Sequence, residues 1–144
     1  MKKMAILSLA VLGMWACQDS GVEKGTPLNE QEAVRIDVAL NDFLENEKKE
    51  AIVFGRTQEV CQSEGCWFNY ELETSSIKAL EAFENRKLGP LGSLYVELEE
   101  GVSIPTDMSK GDVYCTGKFD VKPSDEDSSQ CQVYFKASGV RYKQ

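Results

Sequence analysis

Apolar and polar residues alternate with a period of two along much of the chain, and the breaks in that alternation locate the turns and helices. Between residues 29 and 44 the signal is mixed. Val34, Ile36, Val38 and Leu40 alternate as in a strand, whereas Val38, Ala39, Phe43 and Leu44 fit a helical face with Asp37 as an N-cap. The pattern predicts a short strand or turn and then a helix of about two turns, ending in the charged run 45–50. A strand opens at Ala51 and runs to Val60. Residues 67–73 alternate cleanly: Phe68, Tyr70 and Leu72 share one face, and Trp67, Asn69 and Glu71 the other.

Ile77, Leu80 and Phe83 then recur at helical spacing, with Leu88 as a further candidate. Ser75 or Ser76 can cap this helix, and Gly89-Pro90 can close it. Residues 94–98 form the next strand. Val113, Cys115, Gly117, Phe119 and Val121 make one face of a long strand. After the polar loop 122–129, Cys131, Val133, Phe135 and Ala137 line one face of the last strand, which ends near Tyr142. Hairpin-length connections favour antiparallel pairing. The expected fold is mainly β within the α+β class: a small antiparallel barrel, OB-like, with one inserted helix. A helix packed on an open antiparallel sheet is the alternative.

The N-terminus follows another logic. Lys2 and Lys3 precede an uncharged apolar run over residues 4–14, too short to span a bilayer, which takes ~20 apolar residues. Ala16-Cys17 and then polar Gln18-Asp19-Ser20-Gly21 follow. This resembles a bacterial lipoprotein signal, which implies that Cys17 is lipidated and becomes the mature N-terminus. The alternative is a secretory signal cut near Ala16 that leaves Cys17 an ordinary thiol. The expected organisation is a signal peptide over 1–16, a lipidated tether over 17–29 and one β-barrel-like domain over 30–144. The implied location is lipid-anchored in the bacterial outer membrane, facing the periplasm or the surface. Asp19, two residues past Cys17, hints at surface export.

Charge narrows the chemistry. The chain of 144 residues carries 16 Lys+Arg against 24 Asp+Glu and no histidine. Removal of residues 1–16 takes two lysines and moves the net charge from −8 to −10. No Ser-His-Asp triad, Cys-His dyad or His-ligated metal can be built. Nucleic acid is not expected as a partner, because phosphate binding needs a basic face.

Five cysteines are present. Cys61 and Cys66 flank a four-residue turn, with Gly65 at its end and Trp67 directly after it. Three chemistries fit: a local disulfide of ~2 kcal/mol, a two-thiolate site for a soft metal such as Cu(I), or a redox pair. Cys115 and Cys131, on apolar faces of neighbouring strands, are candidates for a second disulfide, and a site built from all four thiolates is a further option.

The residues Val60, Cys61, Gln62, Gly65, Cys66 and Trp67 match the Val-Cys-Gln-x-x-Gly-Cys-Trp hallmark of a family of short Bacteroidota envelope lipoproteins of unknown function, which the chain resembles over roughly residues 50–142. Residues 103–107, 111–117 and 135–140 agree more weakly. The resemblance implies a barrel-like β fold and carries no activity.

Two other stretches invite chemistry. The acidic loop 124–128 lacks the glycine and distal glutamate of a calcium loop and reads as solvated. Residues 137–142, Ala-Ser-Gly-Val-Arg-Tyr, are similar to the Ser-Gly-x-x-Tyr stretch of membrane-bound lysozyme inhibitors, which implies a cationic protein partner. The functional expectation is a membrane-anchored envelope lipoprotein that acts as a non-enzymatic binding or accessory module. The rivals are a thiol-based metal or redox protein centred on Cys61 and Cys66, and an inhibitor-like binder of a basic protein.

Overall fold

The computed structural model describes residues 21–63, 65–124, 127 and 129–143. The expected signal peptide, Cys17 and most of the acidic loop lie outside the described residues. Seven strands and two helices follow in order: β1 (Gly21–Gly25), β2 (Val34–Arg35), α1 (Ile36–Asn46), β3 (Glu50–Val60), β4 (Trp67–Glu71), α2 (Thr74–Glu84), β5 (Ser93–Leu98), β6 (Asp112–Pro123) and β7 (Cys131–Lys143). A 3-10 turn occupies Glu30–Glu32.

Five strands close on themselves in the order β3-β4-β5-β7-β6 and back to β3. This is the small barrel that the alternation predicts. Four seams are antiparallel; the β5–β7 seam is parallel. Closure of so few strands needs steep tilt. Partners followed once round from Glu59, through Asn69, Tyr95, Tyr134 and Asp120, arrive near the start of β3, a stagger of about ten residues. Long strands therefore outrun their neighbours. β7 pairs with β5 over residues 134–137 and with β1 beyond them; β3 takes β2 where β4 has ended.

Inside, Phe68, Tyr70, Leu94, Val96, Phe119 and Phe135 are fully buried. Phe119 meets Phe135 edge-on, with centroids 4.9 Å apart, and stacks on Phe43 of α1 at 5.1 Å. Tyr70 keeps its hydroxyl satisfied by donating to the Val113 carbonyl at 2.8 Å. Both helices bury an apolar stripe, Leu40 and Phe43 from α1 and Ile77 and Leu80 from α2. α2 is the helix inserted between barrel strands; α1 precedes the barrel.

Several local expectations are corrected. Residues 21–25 are not tether: β1 pairs antiparallel with the end of β7, and Val22 packs against the core. Thr26 carries on this contact by donating to the Ser138 carbonyl, and its own oxygen lies where a Cβ on Gly139 would stand, 2.0 Å away. Asp37 is not a cap. Arg35 takes that position, and the buried Asp37 carboxylate accepts from the Glu73 amide at 2.9 Å, joining the starts of the two helices. Helix α2 stops at Glu84, because Asn85 adopts the left-handed conformation. Phe83 is 44% exposed; the buried place at the helix end belongs to Glu84. Its carboxylate accepts from the Val133 amide at 2.7 Å and pairs with Arg86 at 2.8 Å, so its burial is compensated.

The second disulfide is excluded by register. Cys115 faces Val140 across β6–β7, whereas Cys131 faces Pro123. Eight positions along β6 correspond to ~26 Å, and a disulfide needs Cα atoms within ~7 Å. The same separation rules out a four-thiolate site. Val121, grouped by alternation with Val113, Cys115 and Phe119, is 39% exposed, whereas those three are buried.

Burial pushes the Cys115 thiol up to about 12 and the Tyr70 phenol well above its ordinary value. The folded chain thus holds protons that the unfolded chain releases from about pH 9 upward. The stabilisation is complete below that pH and is lost as pH rises towards 12. The unfolding free energy from urea titrations is expected to be flat from neutral pH to about 8.5, then to fall by roughly 1 kcal/mol by pH 10 from Cys115 alone. Cys115→Ala should show a shallower alkaline slope, whatever its level at neutral pH.

Candidate functional site

The turn between β3 and β4 is held by backbone. Cys61 donates to the Trp67 carbonyl at 3.0 Å, and Gly65 donates to the Cys61 carbonyl at 3.2 Å. Gly65 has φ +63°, and a Cβ there would stand 1.9 Å from the Ile104 carbonyl oxygen. Glycine is required on both counts. The close approach lets Ile104 donate to the Gly65 carbonyl at 3.1 Å, while Leu98 donates to the Cys66 carbonyl at 3.1 Å. Gln62 adds a side-chain fastening: its amide donates to the carbonyls of Val60 (3.0 Å) and Thr106 (3.3 Å). The turn is thereby fixed to the 99–111 connection, which links β5 to β6.

The sulfurs of Cys61 and Cys66 stand 3.5 Å apart, in contact but outside the ~2.05 Å of a disulfide. Cys61 is buried, with the Ser63 hydroxyl 3.3 Å from its sulfur; Cys66 is partly exposed. Among the described residues no group of three or more Cys, Asp or Glu is placed to hold a metal ion.

Trp67 points outward, since its neighbour Phe68 points into the barrel. Its ring packs on Tyr95, with centroids 5.8 Å apart and planes 38° apart. Tyr95 on β5 faces Asn69 on one side and Tyr134 of β7 on the other. The three aromatic residues form a row across the outer face of β4, β5 and β7. Lys122 of β6 lays its ammonium over Tyr95 (4.8 Å) and Tyr134 (5.0 Å). Glu97 faces Trp67, and Asp120 faces Tyr134. Burial first, then Asp120 and Glu97, raise the Tyr134 phenol above its ordinary value.

A groove of about 360 Å³ opens beside this row, between the sheet and the connection that follows α2. Trp67, Asn69, Tyr95, Arg86, Leu91 and Gln132 contribute to its lining. A larger cleft of about 730 Å³ lies where α1 and β3 meet the end of β4, with Arg35, Phe54, Arg56, Glu71 and Tyr114 among its walls. Its charges are largely spent on one another: Arg35 meets Glu73 at 3.3 Å, and Glu71 meets Lys110 at 3.0 Å and Arg56 at 4.0 Å.

The structure therefore brings Cys61, Gln62, Gly65, Cys66 and Trp67 together and leaves Cys115 and Cys131 in separate places. Within residues 137–142, Ser138 forms a bulge opposite the Thr116–Gly117 step, and Gly139 and Tyr142 are taken up in pairing with β1 and β6. Sequence reasoning missed Tyr95, Tyr134, Lys122, Asn69 and Gln132 as site residues. The available signal was an aromatic at the outward position of each of three strands, where polar residues are usual. No family model, curated protein or solved structure matches the chain.

Gly65→Ala should destabilise the domain by about 2 kcal/mol or more, because backbone strain adds to displacement of the turn from Ile104. Gly101→Ala is the control: φ is +86°, with no atom within 4 Å of the added Cβ, so only the ~1 kcal/mol conformational part remains. Hydrogen exchange at the Leu98 and Ile104 amides should accelerate in the first variant and not in the second.

Proposed function

We propose that the protein is a membrane-anchored, non-enzymatic binding module of the bacterial envelope that takes its ligand on the outer face of β4 and β5. The carrying observation is the row Trp67–Tyr95–Tyr134. In barrel order β4 and β5 are the second and third strands, and OB-type barrels take oligonucleotides and oligosaccharides on that face and on the loops beside it. The loop joining the first and second barrel strands is the turn of Cys61 and Cys66, held rigid by Gly65 and Gln62. Three aromatic rings kept half-exposed on a folded sheet favour binding over a purely structural part. The resemblance to short Bacteroidota envelope lipoproteins is consistent with this reading and supplies its location.

Lipidation of Cys17 would place the barrel close to the membrane. Only three residues separate Cys17 from Gly21, where β1 begins, and that span reaches at most ~14 Å. Two or more acyl chains at ~0.8 kcal/mol per buried methylene make such an anchor stable.

A second reading rests on the 3.5 Å contact between the Cys61 and Cys66 sulfurs. Oxidation would staple the turn, and a soft metal would bridge two thiolates. A thiol count and metal analysis of the native protein separate the two. A 61–66 linked peptide, or two free thiols without metal, fits the binding module; a stoichiometric soft metal makes the turn the functional centre.

Cys17→Ser should move the protein from the detergent phase to the aqueous phase, or stall its processing. Partitioning of the Ser variant like the wild type would refute the lipid anchor.

A further inference from the structure

We propose that the groove beside Trp67 and Tyr95 is an oligosaccharide subsite. This rests on the binding-module reading and names its ligand class. The Trp67 and Tyr95 rings, 5.8 Å apart and inclined by 38°, form a shallow angled platform. Sugars present apolar C–H faces that pack on such rings and hydroxyls that need planar polar partners at the edge.

The lining supplies those partners. Asn69 and Gln132 are amides that both donate and accept, and each lies on a strand beside an aromatic of the platform. Asn69 is oriented by Glu59, whose carboxylate lies 3.5 Å from its amide nitrogen. At about 360 Å³ the groove is at the small end of ligand pockets, with room for ~2 sugar rings.

Charge decides between sugar and nucleic acid, which share a taste for aromatic platforms. Single-stranded nucleic acid needs basic side chains along its backbone. Here Arg86 is paired with the buried Glu84 at 2.8 Å, and Lys122 lies over Tyr95 and Tyr134. Glu59, Glu97 and Asp120 surround the row with carboxylates, which repel phosphate and accept hydrogen bonds from hydroxyls. An uncharged oligosaccharide is the occupant that meets the rings, the amides and the carboxylates together.

The sequence provides the readout. The chain has two tryptophans, and Trp15 lies in the expected signal peptide, so Trp67 is the single tryptophan of the mature chain. The mature lipoprotein in detergent is titrated with tetramers of β-1,4-linked N-acetylglucosamine, β-1,4-linked glucose and α-1,4-linked glucose. A 15-nucleotide oligothymidine and a basic protein, lysozyme, are titrated in parallel. Saturable change in Trp67 fluorescence is expected with at least one tetramer, and none with oligothymidine. Tyr95→Ala and the milder rim variant Gln132→Ala should each weaken binding about tenfold, whereas Val38→Ala at an exposed position of α1 should not. If no tetramer binds at millimolar concentration, or if binding is indifferent to both Tyr95 and Gln132, the sugar assignment fails. Tyr95-dependent binding of oligothymidine or lysozyme in place of the sugars would also overturn that assignment and leave the binding module standing. Failure of every probe, together with a stoichiometric metal on Cys61 and Cys66, would overturn both.

Discussion

Closure of a sheet with only five strands is the constraint on which the rest of this molecule depends. The pairing must be staggered by about ten residues, so no strand can be matched along its whole length by one partner. β7 needs β5 and then β1; β3 needs β4 and then β2. The extra residue at Ser138 follows from the same geometry. It lets β7 bend, and it shifts the inward face from Val133, Phe135 and Ala137 to Val140 and Tyr142. The same steep tilt brings outward residues of three strands, Trp67, Tyr95 and Tyr134, into one row.

The turn of Cys61 and Cys66 acts at this closure. Between β5 and β6 the chain must cross from one seam to another, and the 99–111 connection does so with little regular structure of its own. The Gly65–Ile104 and Cys66–Leu98 hydrogen bonds fasten that connection to the β3–β4 turn. Most of the conspicuous motif is therefore occupied in holding one loop against another. Trp67 is the exception, since it displays its side chain. The thiols are placed where a bond or a metal would reinforce the same fastening, so the two functional readings share one scaffold and differ in which group meets the ligand.

Much of this was legible in the chain. Alternation identified the shared face of β4 (Phe68, Tyr70) and of the first half of β7 (Val133, Phe135, Ala137), because a half-buried strand writes its orientation into every second residue. Helix α2 was legible from Ile77 and Leu80. What failed has physical causes. β1 is held mainly by backbone hydrogen bonds, begins and ends in glycine, and leaves almost no side-chain signal. Helical spacing pointed to Phe83, but the buried position went to Glu84, whose carboxylate accepts from the Val133 amide of β7. The Cys115–Cys131 pairing failed because both residues lie on long strands whose register no local pattern reveals. The candidate site was half legible: Trp67 stood out beside the cysteines, whereas Tyr95 and Tyr134 join it only after the barrel closes.

The central claim is that the outer face of β4 and β5, and not the larger Arg35–Tyr114 cleft or the thiol pair, meets the ligand. Amide and side-chain NMR spectra of the mature protein, recorded as a soluble glycan fraction from the bacterial envelope is added, test it most directly. The account predicts the largest shifts at the Trp67 indole, the Asn69 and Gln132 amides and Tyr95, with Arg35, Arg56 and Tyr114 unmoved. Shifts confined to the residues of that cleft, or to Cys61 and Cys66, would contradict it.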